Sequence, residues 1–152
     1  MCIDIEKILL ELELLPKYDS QIMLQGAEPV NNNPFYGIGK VLELDHNEEE
    51  FIYPLFNIPY TNSIIQSLGM YRTRVMKMTP QTCYTYHLDL TKRMHIPLIT
   101  NDRCMFIIDD VVSRYPADGR SYLIDTTKMH TAINASTEDR IHIVGCVKED
   151  RH

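Results

Sequence analysis

Apolar side chains recur at helical spacing near the start of the chain. Residues 3–15 are rich in strong helix formers, Asp4 is placed to cap the first turn, and Pro16 ends the pattern. We predict a helix here whose apolar side covers the core. Contact with another subunit is the less favoured alternative, because most amphipathic helices simply cover a core.

Turn-forming residues and a second helical segment follow. Residues 26–37 contain glycine, proline and consecutive asparagines, which predicts a loop. Residues 61–68 predict a short helix, capped by Thr61 or Asn62 and ended by Gly69.

Beyond residue 70 the pattern changes to short runs of β-branched, aromatic and other apolar residues. Turn residues such as Thr79-Pro80 and Asp118-Gly119 separate several of these runs. The predicted strands are residues 72–78, 83–90, 94–99, 105–108, 121–124 and 141–147. Many short strands of this kind indicate an all-β sandwich or barrel.

The length of 152 residues predicts one domain, residues 1–152. Within it, residues 1–60 form an N-terminal helix and a variable region, and residues 61–152 form the β-rich core. Hydrophobic residues are 44% and charged residues 24%, as in ordinary globular proteins, which argues against a disordered chain. No apolar run reaches the roughly 18 residues of a membrane span, so no membrane association is expected.

Charge is unevenly distributed along the chain. The net charge is −6, which argues against a general nucleic-acid binder, since such a protein needs a basic surface. Residues 1–70 hold 11 acidic and 3 basic residues, whereas residues 71–152 hold 10 acidic and 12 basic residues. An anionic ligand is therefore expected in the second half.

The four cysteines are scattered, and no two form a C-x-x-C pair. A zinc knuckle is therefore not expected. No basic segment precedes the first apolar stretch, as a secretory signal would require. We expect reduced thiols and a cytoplasmic protein.

Two groups of charged residues are predicted to lie at the surface. The acidic run at residues 45–50 has the composition of a solvated loop, since it lacks the ligand spacing of a calcium site. Arg72 and Arg74 share one face of a predicted strand, and a surface position is favoured because arginine is seldom buried without a partner.

In the predicted strand 83–90, an imidazole and a carboxylate share a face. Residues two apart in a strand point the same way, which places His87 beside Asp89. Leu88 would then face the opposite side and pack. Tyr84 and Tyr86 would also face away from His87, outside any pocket lined by that histidine.

Two more strands place an arginine and a histidine side by side. Arg93 and His95 form one such pair, Arg140 and His142 form another, and His130 stands between them on or just after a turn. Ionisable groups on an inner face of a sandwich demand partners, a metal or a ligand.

Two histidines and a carboxylate are the ligand set of non-haem Fe(II) oxygenases. A lone H-x-D pair such as His87 and Asp89 is a weak signal, because such residues are common at surfaces. Arg140 strengthens it: ten positions after His130, on the next strand, a cation can reach the far end of a dicarboxylate bound to the metal.

Four other polar residues have ordinary interpretations. His142 is somewhat better explained as a hydrogen-bonded core histidine than as a substrate contact. Asn134 is better explained as stabilising a turn than as binding substrate. His46 and His152 are expected to be exposed.

Four stretches together resemble the aspartyl/asparaginyl β-hydroxylase family of Fe(II)- and 2-oxoglutarate-dependent dioxygenases, which includes proline hydroxylase relatives. The similarity is good from about residue 62 to residue 147 and poor before that. The stretches are His87-Leu88-Asp89, Arg93-Met94-His95-Ile96-Pro97-Leu98, His130-Thr131-Ala132-Ile133-Asn134 and Arg140-Ile141-His142-Ile143-Val144.

The resemblance implies a mainly β fold, a double-stranded β-helix of the jelly-roll or cupin-like type, with short N-terminal helices. It also implies roles for six residues. His87, Asp89 and His130 would bind Fe(II), Arg140 would pair with the distal carboxylate of 2-oxoglutarate, Arg93 would assist near its metal-bound end, and His95 would line the pocket.

The activity implied is hydroxylation of an amino acid, or of a peptide or protein residue of the Asp/Asn or Pro type. O2 would be consumed, and 2-oxoglutarate would be converted to succinate. The alternative is a non-catalytic jelly-roll protein that binds a metal or a small anion. Arg140 together with Arg93 discriminates against it, because a protein that only binds a metal would need neither. A sensor or scaffold that has lost turnover is disfavoured by the complete triad.

Overall fold

The computed structural model describes residues 1–30, 33–39 and 44–148. His152, which was expected to be exposed, lies outside these residues. The elements are α1 (Ile5–Leu12), β1 (Gln21–Met23), β2 (Gln25–Gly26), β3 (Tyr53–Pro54), α2 (Pro59–Ser67), β4 (Met70–Met78), β5 (Thr82–Cys83), β6 (Arg93–Ile99), β7 (Cys104–Ile108), β8 (Val111–Ser113), β9 (Tyr122–Ile124), β10 (His130–Asn134) and β11 (Arg140–Val147).

Most of the strands form two antiparallel sheets. The larger sheet has the order β1-β4-β11-β6-β9 and the smaller sheet the order β5-β10-β7-β8, while β2 and β3 form a separate two-stranded ribbon. This is the mainly β, cupin-like fold with short helices that the sequence predicted. Among the described residues, no helix is long and apolar enough to cross a membrane.

Each strand of the larger sheet separates its side chains by alternation. One face carries Ile22, Val75, Ile96 and Ile143, all fully buried in the main apolar core, against which residues of α1 also pack. The opposite face is polar. It carries the arginines and histidines that the sequence singled out.

A smaller apolar cluster joins the two sheets. Met78 of β4 and Ile124 of β9 come from the larger sheet, and Phe106 of β7 and Ala132 of β10 come from the smaller one. Asn134, at the end of β10, donates hydrogen bonds to the carbonyls of Met78 and Glu138, 2.8 Å away in each case. Its predicted structural role in a turn is therefore confirmed.

The predicted N-terminal cap was correct for the first helix and wrong for the second. Asp4 caps α1, since its carboxylate accepts a hydrogen bond of 3.1 Å from the amide of Lys7. The predicted cap of α2 was wrong, because Pro59 occupies the first turn and the helix begins before Thr61. Gly69, with a φ of +65°, follows α2 as expected.

The predicted strand over residues 83–90 was wrong in most of its length. Only Thr82–Cys83 pair as β5, after which His87 makes a single bridge to His130. Without regular alternation, Leu88 is 58% exposed instead of packed. Beyond this bridge the pairing does not continue, since the amide of Asp89 donates to the carbonyl of Thr126, which precedes β10.

Strands β1, β2, β3, β8 and β10 were not predicted, and His130, which was expected on or just after a turn, begins β10. Three of them lie in the N-terminal region, where β1 pairs with β4 and so extends the larger sheet. The four cysteines are free thiols, as expected, with Cys104 and Cys146 buried.

Gly145 of β11 has no room for a side chain. A Cβ there would lie 2.7 Å from Met70 Cε, 2.8 Å from Thr73 Oγ1 and 3.3 Å from the carbonyl of Tyr71. We therefore expect Gly145→Ala to lower the free energy of unfolding by about 1–3 kcal/mol, as overpacked cores do. Urea denaturation measures this change.

A double variant tests the steric cause. Thr73→Ala removes one of the clashing atoms, a buried hydroxyl that has no hydrogen-bond partner in the described structure. We expect Gly145→Ala to cost less in the Thr73→Ala background than alone, which is the signature of direct contact. Strictly additive effects would contradict this explanation.

Candidate functional site

Three side chains that the sequence selected meet at one point between the sheets. His87, Asp89 and His130 each offer a ligand atom, and these atoms lie within 4.8 Å of one another. His87 Nε2 is 3.7 Å from Asp89 Oδ1, and His130 Nε2 is 3.5 Å from Asp89 Oδ2. This cluster could hold a metal ion.

Backbone and ring hydrogen bonds fix the two histidines for this purpose. The backbones of His87 and His130 exchange two hydrogen bonds, of 3.1 and 3.0 Å. His87 Nδ1 donates to the carbonyl of Thr85 at 2.7 Å, and His130 Nδ1 donates to that of Lys128 at 2.8 Å. Because a carbonyl only accepts, each Nδ1 carries the proton, which leaves both Nε2 lone pairs free for a metal.

Two neutral imidazoles and one carboxylate fit a non-haem Fe(II) centre. This ligand set leaves coordination positions open for a co-substrate and oxygen. The donor chemistry and the tautomers of His87 and His130 therefore suit the ion that the resemblance implied.

Arg140 is buried close to this cluster, and no anionic partner for it is found among the residues that the structure describes. Its exposure is 2%, its guanidinium lies 5.7 Å from the ring centroid of Phe106, and Nε has no hydrogen-bond partner in the described part of the chain. Burial lowers the pKa of Arg140. An unpaired buried cation of this kind calls for an anionic ligand.

A cavity of about 80 Å³ connects Arg140 with the metal cluster. Arg140, His95 and Phe106 line it together with His87, Asp89 and His130. An anion that reaches Arg140 can therefore extend to the candidate metal site through this one cavity.

His95 and His142 form a neutral pair beside this cavity. Their Nδ1 atoms are 3.0 Å apart, so one ring donates and the other accepts. Burial, followed by the charge of Arg140, lowers the pKa of both well below the ordinary value of 6.5. His142 Nε2 has no partner among the described residues, so His142 is only partly satisfied as a core histidine.

Arg93 connects the metal cluster to a second group of charges. Its Nη1 lies 3.0 Å from Glu48 Oε2, and its Nε lies 3.9 Å from Asp89 Oδ2. It also donates to Cys146 Sγ at 2.9 Å and to the hydroxyl of Thr91. Arg93 therefore places a positive charge beside the carboxylate of the cluster.

The prediction that Arg72 and Arg74 lie at the surface was wrong. They are 3% and 6% exposed, on the polar side of the larger sheet. Arg72 has a positive φ of 48° and donates hydrogen bonds to the carbonyls of Gly37 and Gly39. Arg74 Nη1 donates to the carbonyl of Arg72 at 3.0 Å.

The prediction of a solvated loop over residues 45–50 was wrong for Glu48, which is 7% exposed. Its Oε2 accepts a hydrogen bond of 2.6 Å from Cys146 Sγ and lies 3.7 Å from Arg72 Nη1. Burial raises the pKa of Glu48, but Arg93, the Cys146 hydrogen bond and the neighbouring arginines outweigh it, and the net effect is a lowered pKa. No local sequence signal distinguishes Glu48 from its exposed acidic neighbours.

A larger cavity of about 440 Å³ opens on the other side of the metal ligands. Arg72, Arg74, Glu48, Leu88 and Leu90 line it, together with His87, Asp89, Met76 and Tyr84. Tyr84 lines both cavities, which corrects the expectation that it packs outside the pocket, because its segment is not a regular strand. Tyr86, 51% exposed, lines neither cavity.

Replacing Glu48 by glutamine should destabilise the fold, because it leaves buried arginines without their carboxylate. We expect a loss of about 3 kcal/mol in the free energy of unfolding at neutral pH, as when one partner of a buried pair is removed. The exposed Glu49→Gln is the matched control and should change little.

The pH dependence of this loss has a definite sign. The pKa of Glu48 in the folded protein lies below its ordinary value of 4.5, so the ionised carboxylate stabilises the fold at pH values above 4.5. This stabilisation is lost as the pH falls through the lowered pKa. Denaturant curves should therefore show the difference between Glu48→Gln and the parent protein shrinking in acid. A difference that grows in acid would contradict the pairing.

Solved structures similar to this chain include cupin-domain proteins. A Photorhabdus luminescens protein has 17% identity and a TM-score of 0.42, covering 51% of this chain and 62% of its own. A cupin domain from Bordetella pertussis has 18% identity and a TM-score of 0.44, covering 51% and 81%. A Cupin 2 conserved barrel domain protein from Salinispora arenicola has 11% identity and a TM-score of 0.42, covering 53% and 64%.

The alignments therefore span less than two thirds of the Photorhabdus and Salinispora chains. No curated protein sequence matches this chain significantly.

The sequence profile of the aspartyl/asparaginyl beta-hydroxylases matches residues 6–149. The match begins well before residue 62, where the resemblance seen in the sequence began, so the N-terminal region is part of the family's domain. It includes the three residues of the metal cluster and Arg140. The chain therefore belongs to the aspartyl/asparaginyl beta-hydroxylase family.

Proposed function

We propose that this protein is an Fe(II)- and 2-oxoglutarate-dependent dioxygenase that hydroxylates an amino acid, or an Asp/Asn- or Pro-type residue of a peptide. One observation carries the proposal. A two-histidine, one-aspartate cluster shares a small cavity with a buried arginine that has no anionic partner in the described structure. A dicarboxylate that also binds a metal is the ligand such a cavity suits.

His87, Asp89 and His130 would hold the iron, which supplies the oxidative chemistry when O2 and 2-oxoglutarate are bound. Arg140 would pair with the distal carboxylate of 2-oxoglutarate. Arg93 would act near the other end of that molecule, where it already contacts Asp89.

The surroundings of the cluster favour a dianionic co-substrate. His95 stays neutral at pH 7 because its pKa is lowered, so it can line the cavity without adding charge. Arg140 keeps its guanidinium charge in a region that water enters poorly, where electrostatic attraction is strong. These residues would orient the co-substrate and exclude solvent from it.

A non-catalytic jelly-roll protein that only binds a metal explains less of this site. Metal binding alone would not require a buried cation such as Arg140 to stay unpaired in the described structure. The enzyme is therefore the proposal we develop.

The activity is tested by turnover. The purified protein is given Fe(II), 2-oxoglutarate, oxygen and a panel of amino acids and short peptides, and succinate is measured together with the gain of one oxygen atom by mass spectrometry. We expect succinate that depends on iron, and equimolar hydroxylated product with one class of substrate. Absence of both succinate and product across the panel would contradict the proposal.

A further inference from the structure

Arg74 is a buried cation of the larger cavity, and it lacks an anionic partner within residues 1–30, 33–39 and 44–148. Its side chain is 6% exposed, and its Nε has no hydrogen-bond partner in the part of the chain that the structure describes. Its one hydrogen bond there runs from Nη1 to the carbonyl of Arg72, and no described carboxylate lies within ion-pair distance. A guanidinium presents five donors, so most of its capacity is unused.

The charges around Arg74 leave a positive excess. Arg72, Arg74 and Arg93 line the same cavity, where Glu48 and Asp89 are the acidic residues. Glu48 lies close to Arg93 and Arg72, and Asp89 belongs to the metal cluster. Burial, followed by the charges of Arg72 and Arg93, lowers the pKa of Arg74 to about 9, which still leaves it charged at pH 7.

The position of Arg74 separates it from the arginine assigned to the co-substrate. Arg140 lines only the smaller cavity, whereas Arg74 lines both and therefore stands where the two meet at the metal ligands. The larger cavity also has apolar lining, including Met76, Leu88 and Leu90. A molecule held there would meet a cation at one end and apolar side chains along its body.

We propose that Arg74 binds a carboxylate of the prime substrate, and that the substrate is a carboxylic acid of about amino-acid size. The inference rests on the proposed function, because it takes the larger cavity as the place where that substrate meets the metal centre. The volume of about 440 Å³ leaves room for a molecule of this size beside the metal cluster. A buried guanidinium with free donors recognises carboxylates in particular, through paired hydrogen bonds.

The test is a binding titration that needs no turnover. The protein is loaded with Mn(II), a redox-silent substitute for Fe(II), and with 2-oxoglutarate. The free L-amino acids and their C-terminal amides are then titrated by calorimetry. We expect at least one acid to bind, and its amide to bind on the order of 30-fold more weakly.

Substitution of Arg74 should reproduce that difference. Arg74→Gln should weaken binding of the acid by a similar factor, on the order of 30-fold. The affinities for the amide and for 2-oxoglutarate should stay within about threefold of those of the parent protein. Arg74→Lys keeps the charge and should give an intermediate loss. Arg120→Gln, at a side chain that is 69% exposed, is the matched control and should change nothing. Thermal denaturation shows that each variant is folded, and if Arg74→Gln does not fold, Arg74→Lys alone must show the selective loss.

Three outcomes would overturn the inference. They are no binding by any acid, equal binding of acid and amide, and a loss in the Arg74 variants that falls on 2-oxoglutarate instead. Failure of the proposed function is seen separately, as a parent protein that binds neither Mn(II) nor 2-oxoglutarate. In that case Arg74-dependent binding of an acid would still support the anion site.

Discussion

Replacing Asp89 by alanine is expected to reduce the affinity for Fe(II) by more than about 100-fold and to abolish hydroxylation. Even groups that only support metal ligands typically contribute 10–100-fold, and a ligand itself contributes more. Among the described residues, Asp89 is also the carboxylate that lies close to both His87 and His130. Equilibrium metal binding and succinate production measure the two losses.

His130→Ala should behave like the aspartate variant, because the ring of His130 is held in place by its Nδ1 hydrogen bond and its Nε2 has a lone pair free to bind the metal. His46→Ala is the control, since His46 contacts Tyr36 and Glu28, away from the cluster. Full iron affinity in both Asp89→Ala and His130→Ala would show that the metal centre lies elsewhere.

Arg140→Met should have opposite effects on binding and on stability. We expect the affinity for 2-oxoglutarate to fall by about 100-fold, which is about 2.7 kcal/mol, while iron affinity stays within about threefold. The protein without co-substrate should unfold at the same temperature or higher, because an unpaired buried cation has been replaced by an apolar side chain of similar length. Calorimetry and thermal denaturation measure the two quantities.

The surface Arg120→Met serves as control for Arg140→Met and should leave both quantities unchanged. Arg140→Ala should weaken 2-oxoglutarate binding in the same selective way. Equal loss of iron and 2-oxoglutarate affinity would indicate a folding defect or a wrong assignment of Arg140. A large drop in the stability of the protein without co-substrate would contradict the absence of an internal partner.

Sequence patterns predicted the features that depend on local chemistry. The N-cap at Asp4 and most strands of the two sheets follow from residue types and alternation. Alternation paired His87 with Asp89, and the family resemblance added His130 to the cluster that the fold assembles, although neither could give the distances between their atoms.

Features that depend on distant contacts were not predictable in the same way. Arg72 and Arg74 were assigned to the surface because a buried arginine needs a partner. The partner of Arg72 is Glu48, which comes from an acidic run far away in the sequence. The signal that could have indicated burial of Arg72 and Arg74 is the presence of two arginines on one face of a predicted strand.

The strand prediction for the segment around Tyr84 and Leu88 was wrong for a different reason. Its composition is that of a strand, but the chain leaves the sheet after β5 and returns for a single bridge at His87. Composition does not record where a ladder of hydrogen bonds stops, since that depends on the partner strand.

The structure shows what the basic second half of the chain and the acidic first half contribute to the site. The basic second half supplies the metal cluster and the four arginines around it. The acidic first half contributes Glu48, which balances part of that charge, and Gln21 and Gly39 in the lining of the larger cavity. The N-terminal region therefore helps to shape the cavity in which we place the substrate.

The most direct test of this account is optical titration of the protein with Fe(II) and 2-oxoglutarate in the absence of oxygen. A co-substrate that chelates the iron gives a metal-to-ligand charge-transfer absorption. We predict that this band saturates at one iron and one 2-oxoglutarate per chain, and that it is lost in Asp89→Ala. No absorption with the parent protein, or an undiminished band in Asp89→Ala, would contradict the assignment of the metal centre.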